Sequence, residues 1–216
     1  MVRHGGGGVG QTPDYWDNSY FDDTYWHNSK PKKYKGYCTD VWFKEAMNYI
    51  ENQKNQPFFC YISTNAPHSP FYVNDTYSDL YRGLPNVPSK EFYGMITNID
   101  DNIGLLMNKL EDLKIADNTI LIFITDNGSA MGEHKSKEIN PYNAGMRGKK
   151  NSEYDGGHRV PFFIRWKNGN IQAGRDISQI TSHIDVLPTL IDLCNLEDKD
   201  QTLFDGKSLV PLFNNE

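Results

Sequence analysis

Two oxygen-bearing side chains follow an apolar run in the second half of the chain. Residues 119–125 read Thr-Ile-Leu-Ile-Phe-Ile-Thr, and Asp126, Asn127 and Gly128 come directly after them. A short apolar run without alternation predicts a strand buried on both faces, as in a parallel sheet. Ligands of open α/β sheets bind at the carboxyl edge, where carboxylate and amide oxygens suit calcium or magnesium. Asp126 and Asn127 are therefore candidate metal ligands, although Asp-Asn-Gly alone is more typical of a β-turn.

Further polar side chains could join this pair at the same sheet edge. His68 follows a strand predicted at 58–63, and Lys149 and Lys150 lie downstream of Asn127. Imidazole, ammonium, carboxylate and amide groups together could stabilise negative charge and hold a metal ion. Each also has a simpler interpretation. His68 could cap a turn in its proline-flanked loop, and the two lysines could be solvated surface charges.

The elements that would position these groups alternate between strands and helices. Helical spacing of apolar residues predicts helices at 39–52, from 89 to about 113, and at 185–193. Strands are predicted at 58–63, 119–125 and 160–166, and loops or turns at 15–26, 30–35 and 71–88, the first held by its aromatic rings. A strand, a long helix and a second strand predict a right-handed crossover between parallel strands. We therefore expect an α/β domain whose mostly parallel sheet is sandwiched by helices.

Composition excludes several classes of protein. With 216 residues and 38% hydrophobic residues, the chain is long and apolar enough for one folded α/β domain. The net charge of −6 and the scattered Lys and Arg residues argue against a nucleic-acid partner. No apolar run reaches membrane-spanning length and no signal-peptide pattern opens the chain, so we expect no membrane partner. The three cysteines, Cys38, Cys60 and Cys194, lack metal-binding spacing.

Six motifs in one order resemble the sulfatase family of the alkaline-phosphatase-like superfamily, particularly its bacterial arylsulfatase-type members. They are residues 4–16 with their glycine run, Asn65-Ala-Pro-His68, Ile124-Thr-Asp-Asn-Gly128, residues 148–161 with Tyr-Asp-Gly-Gly, Asp185-Val-Leu-Pro-Thr189, and residues 205–213. Each motif is a weak signal, whereas six in order, covering nearly the whole chain, are a strong one.

The resemblance implies a role for each candidate residue. Asp126 and Asn127 correspond to calcium ligands of the family. His68 corresponds to the histidine that contacts the sulfate ester and helps to protonate the leaving oxygen. Lys150 corresponds to the lysine that binds a sulfate oxygen, and it is preferred over the preceding lysine because it lies four residues before the Tyr-Asp-Gly-Gly element. His4 belongs to a loop near the substrate.

The chain departs from the family at two catalytic features. It has no Cys- or Ser-x-Pro-x-Arg motif, whose first residue becomes the formylglycine nucleophile in sulfatases, and no early Asp-Asp pair on an apolar strand. We therefore interpret residues 1–216 as a partial sulfatase catalytic domain that lacks an N-terminal part and a C-terminal subdomain. Because calcium takes six to eight oxygens, the site is expected to be incomplete and the chain alone inactive. A missing first strand would also leave an unpaired sheet edge and an exposed apolar face.

The resemblance leaves substrate and compartment open. The expected partner is a sulfated small molecule or a sulfated glycan, selected by loops such as 71–88. Alternatives are a phosphodiesterase or phosphonate hydrolase of the same superfamily, and a remnant that binds sulfated glycans without catalysis. Family members are often periplasmic, secreted or lysosomal, but this chain carries no signal that assigns it to a compartment.

Overall fold

The computed structural model describes residues 1–3, 19–131, 142–169, 171–197 and 203–214. The chain divides into two compact units, the larger formed by 1–116 and 125–160 and the smaller by 117–124 and 161–216. The helices are α1 (Cys38–Gln53), α2 (Asp75–Ser78), α3 (Lys90–Asp112), α4 (Asp155–His158), α5 (Val186–Leu193) and α6 (Val210–Phe213). The strands are β1 (Val2–Arg3), β2 (Thr24–His27), β3 (Lys30–Lys33), β4 (Leu121–Ile124) and β5 (Phe162–Arg165).

Two long helices dominate the larger unit and confirm the helical pattern of the sequence. Ser89 caps α3 by accepting the amide of Phe92 at 3.1 Å, so the helix begins where the sequence predicted. A polar bridge joins the helices, because Oδ1 of Asp40 on α1 accepts Nδ2 of Asn98 and of Asn102 on α3, each at 2.8 Å. Both asparagines are buried, and the bridge satisfies their amide donors.

A β-hairpin replaces part of the loops predicted at 15–26 and 30–35. Strands β2 and β3 pair antiparallel from Thr24 opposite Lys33 to His27 opposite Lys30, and β1 adds to the other side of β2. The turn residues Asn28 and Ser29 have φ of 49° and 65°. Positive φ at both central residues is the geometry that joins two twisted strands, and Asn-Ser is a weaker signal for it than Asn-Gly. The loop prediction was therefore wrong for 24–26 and 30–33.

Aromatic rings fill the core beside this hairpin. Tyr20, Tyr25, Tyr34 and Tyr37 are buried together with the first turn of α1, and the rings of Tyr20 and Tyr37 stack with centroids 6.0 Å apart. The predicted role of the rings is confirmed for the described part of 15–26. Burial raises the pKa of Tyr20 and of Tyr34 to about 12, because their ionised forms would lose hydration.

The segment predicted as a strand at 58–63 forms neither a helix nor a strand and belongs to no sheet among the described residues. Its side chains alternate in exposure, and Phe59 and Tyr61 are 72% and 79% exposed. An apolar run predicts an extended backbone, but a strand also requires a partner strand, and the local sequence does not indicate which segment that partner is.

The predicted loop at 71–88 contains α2, whose N-cap Asn74 accepts the amide of Thr76 at 3.0 Å.

The smaller unit contains β4 and β5, the two strands predicted around 119–125 and 160–166. They pair antiparallel, with Leu121 opposite Arg165 and Ile124 opposite Phe162, rather than through the expected parallel crossover. Every residue of β4 is half-buried. Both strands and helices build the described chain, in the order β1–β3, α1–α3, β4, α4, β5, α5 and α6, and the strand pairs of the described residues are antiparallel rather than parallel as expected.

A capping box precedes α5, in which Ser182 and Asp185 exchange side-chain and backbone hydrogen bonds. This explains why the helix predicted at 185–193 begins where it does. No helix within the described ranges has the length and apolarity needed to cross a membrane.

Candidate functional site

Asp126 and Asn127 lie in the turn that follows β4. The side chain of Asp126 is exposed and that of Asn127 is half-buried. Nδ2 of Asn127 donates to Oδ1 of Asp126 at 3.2 Å and to the Gly128 carbonyl at 3.3 Å. Because these bonds use the amide nitrogen, Oδ1 of Asn127 and Oδ2 of Asp126 are the oxygens left for an incoming cation.

The Asp126–Asn127 turn is joined to the segment that carries Lys150. The amide of Lys150 donates to the Ser129 carbonyl, and the amide of Gly128 donates to the Gly157 carbonyl, both at 2.9 Å. These two main-chain bonds connect residues that are 21 and 29 positions apart in sequence. The structure therefore brings three predicted site residues, Asp126, Asn127 and Lys150, onto two hydrogen-bonded loops.

Glycines allow these loops to approach each other. A Cβ atom on Gly128 would lie 2.0 Å from the Gly156 carbonyl oxygen, and one on Gly156 would lie 2.2 Å from the Gly148 carbonyl oxygen. No side chain fits at such distances, so the contact requires glycine. The motifs that contain these glycines are recognisable in the sequence, but the packing of the glycines against one another is not.

The lysine loop, residues 147–157, is held by several further contacts. The guanidinium of Arg147 lies over the ring of Tyr154, 3.6 Å from its centroid, and the Arg147 carbonyl accepts the Gly156 amide at 2.8 Å. Lys149 and Lys150 are both half-buried, and within the described part of the chain neither ammonium is paired with a carboxylate. Two cations on a fixed loop, without acidic partners among those residues, suit an anionic ligand.

His68 is held by a different set of contacts in the same unit. Nδ1 of its exposed ring lies 2.8 Å from the Ser69 carbonyl, which can only accept, so Nδ1 carries the proton in that contact. Nε2 is then the ring atom left to accept or deliver a proton. The hydroxyl of Tyr20 donates to the His68 carbonyl at 2.9 Å. His68 thus has the chemistry of a general acid or base, and no contact described here links its ring to Asp126, Asn127 or Lys150.

Tyr20 and Asn65 are supporting residues that the sequence analysis did not identify as such. Oδ1 of Asn65 lies 3.5 Å from both Sγ of Cys38 and Nε1 of Trp42. The amide of His68 donates to the Asn65 carbonyl at 2.9 Å, so the Asn-Ala-Pro-His turn is attached to the aromatic core. The only sequence signal for this support was the clustering of aromatic residues upstream.

The donor set fits calcium in chemistry but not in number. Two side-chain oxygens at the Asp126–Asn127 turn are hard ligands, whereas calcium takes six to eight. Among the described residues, no three His, Cys, Asp or Glu side chains come together as a metal site.

The remaining candidate, His4, lies outside the described residues. All three cysteines are free, and burial raises the pKa of the Cys38 thiol to about 12, which suppresses its nucleophilic thiolate.

Comparisons with known proteins define the class to which this chain belongs. The sequence profile of the sulfatase family matches residues 6–196. The N-acetylgalactosamine-6-sulfatase of Sus scrofa is 32% identical over 178 residues, which are 80% of this chain and 32% of that protein. The crystal structure of Ps i-CgsB in complex with k-i-k-neocarrahexaose matches with a TM-score of 0.78 and 31% identity, covering 89% of this chain and 42% of the other. The chain belongs to the sulfatase family.

The fold is the α/β fold of the alkaline-phosphatase-like superfamily, represented in part. A phosphonate monoester hydrolase from Silicibacter pomeroyi has a TM-score of 0.59 at 18% identity, covering 83% of this chain and 42% of that chain, and so shares the fold alone. The chain spans about a third of the length of the curated relatives that it matches.

Proposed function

We propose that this chain carries part of the active site of a sulfuric ester hydrolase, in which Lys150 binds a sulfate oxygen and Asp126 and Asn127 contribute to a calcium site. The observation that carries the proposal is the pair of 2.9 Å main-chain bonds that join the Asp126–Asn127 turn to the lysine loop. These bonds join the loop that carries two oxygen ligands to the loop that carries an ammonium without a carboxylate partner among the described residues. A sulfate group, with its negative charge spread over several oxygens, needs both kinds of group.

His68 is proposed as the residue that protonates the leaving oxygen. The Ser69 carbonyl fixes the proton on Nδ1, so a protonated ring presents Nε2–H to the substrate and a neutral ring can accept a proton there. Lys150 would orient the sulfate through a charge-assisted hydrogen bond, while His4, in the glycine-rich segment, is retained as a substrate-binding candidate.

Calcium, when bound, would supply a cationic partner for a sulfate oxygen, with Asp126 and Asn127 as two of its ligands. The formylglycine of the family finds no counterpart in this sequence, since none of its cysteines or serines begins the x-Pro-x-Arg motif. We therefore derive no covalent step for these 216 residues and expect no turnover from them alone.

The proposed substrate class is a sulfated glycan. The relative from Sus scrofa is named for a sulfated sugar, and the Ps i-CgsB structure contains an oligosaccharide. The two proteins are 32% and 31% identical to this chain, and both names refer to sugars. Sugar sulfates are therefore the first compounds to test, before simple aryl sulfates.

The proposal is tested by following the backbone amides of ¹⁵N-labelled protein during titration with calcium and with a monosaccharide sulfate. Calcium should perturb Asn127 in the unaltered chain and not in Asp126→Ala. The sugar sulfate should perturb the lysine loop, and Lys150→Ala should weaken its binding about tenfold, as expected for loss of one charge-assisted bond. Lys149→Ala is the matched control, since its ammonium sits on the same loop. Equal loss in both variants, or none in Lys150→Ala, would refute the assignment of Lys150.

A further inference from the structure

A groove lined by tyrosines lies in the larger unit, beside the lysine loop. We call it the tyrosine groove; its walls include Tyr81, Leu84, Val87, Tyr93, Tyr142 and Asn143. Its volume is about 650 Å³, within the range of small-ligand sites. None of the candidate site residues lines the groove. A ligand in the groove would therefore contact residues that have no role in the proposed sulfate chemistry.

The rings are arranged to receive a flat, partly apolar ligand. Tyr81 and Tyr93 lie with centroids 5.4 Å apart at an interplanar angle of 40°, and a hydrogen bond of 2.6 Å from the Tyr81 hydroxyl to Oγ1 of Thr97 fixes the first ring. Tyr142 also lines the groove and is 83% exposed. Rings with an apolar face and a polar tip suit a ligand of the same mixed character.

No charged side chain lines the groove among the described residues. An anionic sulfate would find no cationic partner there, whereas an uncharged ring carries no charge that must be desolvated. The amides of Asn86 and Asn143 and the tyrosine hydroxyls provide hydrogen-bonding groups at the edge. Sugar rings combine C–H faces that stack on aromatic rings with hydroxyls that need such partners, which a purely apolar aryl or steroid group does not.

Asn143 connects the groove to the lysine loop. Its Nδ2 donates to the Gly148 carbonyl at 2.8 Å and to the Met146 carbonyl at 2.9 Å, so both amide hydrogens are used on the backbone. Its Oδ1 is then the atom with which it can accept a ligand hydroxyl. Gly148 lies two residues before Lys150, so one side chain both lines the groove and holds the loop that carries the proposed sulfate ligand.

We propose that the tyrosine groove binds an uncharged sugar ring of the same glycan whose sulfated ring is held at Lys150. This inference rests on the proposed function and narrows its substrate to an oligosaccharide. It assigns Tyr142 as a specificity-determining residue that stacks on the neighbouring sugar.

The test compares a monosaccharide sulfate, a sulfated neocarrahexaose that contains it and the desulfated form of that hexaose. Binding is measured by the same amide titration. The sulfated hexaose should bind the unaltered chain at least about tenfold more tightly than the monosaccharide, and Tyr142→Ala should remove about five- to tenfold of that gain. Tyr142→Phe should keep it, because the ring remains. Tyr61→Ala removes an equally exposed tyrosine outside the groove and should change nothing.

The outcomes separate this inference from the proposed function. If the gain persists in Tyr142→Ala, or if no hexaose perturbs the groove residues, the groove proposal is overturned. If the desulfated hexaose binds the groove while no sulfated compound depends on Lys150, the proposed function fails, and the groove binds a sugar without the link to Lys150 that this inference requires.

Discussion

Replacing Gly128 by alanine should separate the two loops of the candidate site. A Cβ atom at this position would lie 2.0 Å from the Gly156 carbonyl oxygen and 2.8 Å from its carbon. Ordinary contacts begin near 3.4 Å, so the loops must part by more than 1 Å. The neighbouring atoms are backbone, which cannot rotate away as a side chain could. The bonds from Gly128 to Gly157 and from Lys150 to Ser129 span this contact, and the shift would lengthen both.

Two effects set the expected loss of stability in Gly128→Ala: the steric overlap of the new methyl group and the weakening of a main-chain hydrogen bond. Inserting a methyl group into a closed backbone contact costs about 1–3 kcal/mol. A weakened main-chain hydrogen bond adds about 1 kcal/mol. We therefore expect Gly128→Ala to lower the free energy of unfolding by roughly 3 kcal/mol, if the loops are docked in the folded unit.

Chemical denaturation and hydrogen exchange of the Lys150 amide together test this reasoning. Gly104→Ala is the matched control, because a Cβ there meets nothing within 4 Å on the exposed face of α3. That substitution should raise stability by up to about 1 kcal/mol, as alanine replaces glycine in a helix. If Gly128→Ala is as stable as Gly104→Ala and the Lys150 amide keeps its protection, the close approach of the loops is refuted.

Four further predictions concern the core and the chemistry of the chain. Asp40→Ala leaves the buried amides of Asn98 and Asn102 without their shared acceptor and should cost about 2–4 kcal/mol in urea denaturation; a loss below about 0.5 kcal/mol would contradict the bridge. The exposed Cys194 should react with a thiol reagent at once and the buried Cys38 only after unfolding, which counting modified thiols with time would show. Because burial raises the pKa of the Cys38 thiol from 9.0 to about 12, stability should be full below pH 9 and fall as pH rises towards 12, so an unchanged urea midpoint at about pH 10.5 would argue against it. Purified chain should not hydrolyse an aryl sulfate with or without calcium, and sustained turnover would contradict the expectation of inactivity.

The helices were predictable because their signals are local. The cap at Ser89 and the apolar stripe that follows specify α3, which the structure places at Lys90–Asp112. The capping box at Ser182 and Asp185 closes the 3-10 turn His183–Asp185, which leads directly into α5. In both cases the signals lie within a few residues of the helix start, so they can be read from the sequence.

The strands were less predictable because their partners are distant in sequence. The run at 119–125 predicted β4, but not that Ile124 would face Phe162 in an antiparallel pair. The run at 58–63 predicted an extended segment, and in the described chain that segment pairs with nothing. The hairpin turn at Asn28 and Ser29 was missed because its positive φ angles are not strongly encoded by those residue types.

The candidate site shows the same division between residue identity and arrangement. Sequence motifs identified Asp126, Asn127, Lys150 and His68, but the contacts that hold them involve residues far away. The carbonyl of His68 accepts a hydrogen bond from Tyr20, which lies 48 positions upstream. The Asp126–Asn127 turn packs against the lysine loop through the close contact of Gly128 with Gly156. These supports share no residue. Loss of the Tyr20 hydroxyl, as in Tyr20→Phe, keeps the ring in the core and should therefore act on the loop of the proposed proton donor. A change at Gly128 should act on the proposed metal and sulfate ligands, so the two parts of the site can be perturbed separately.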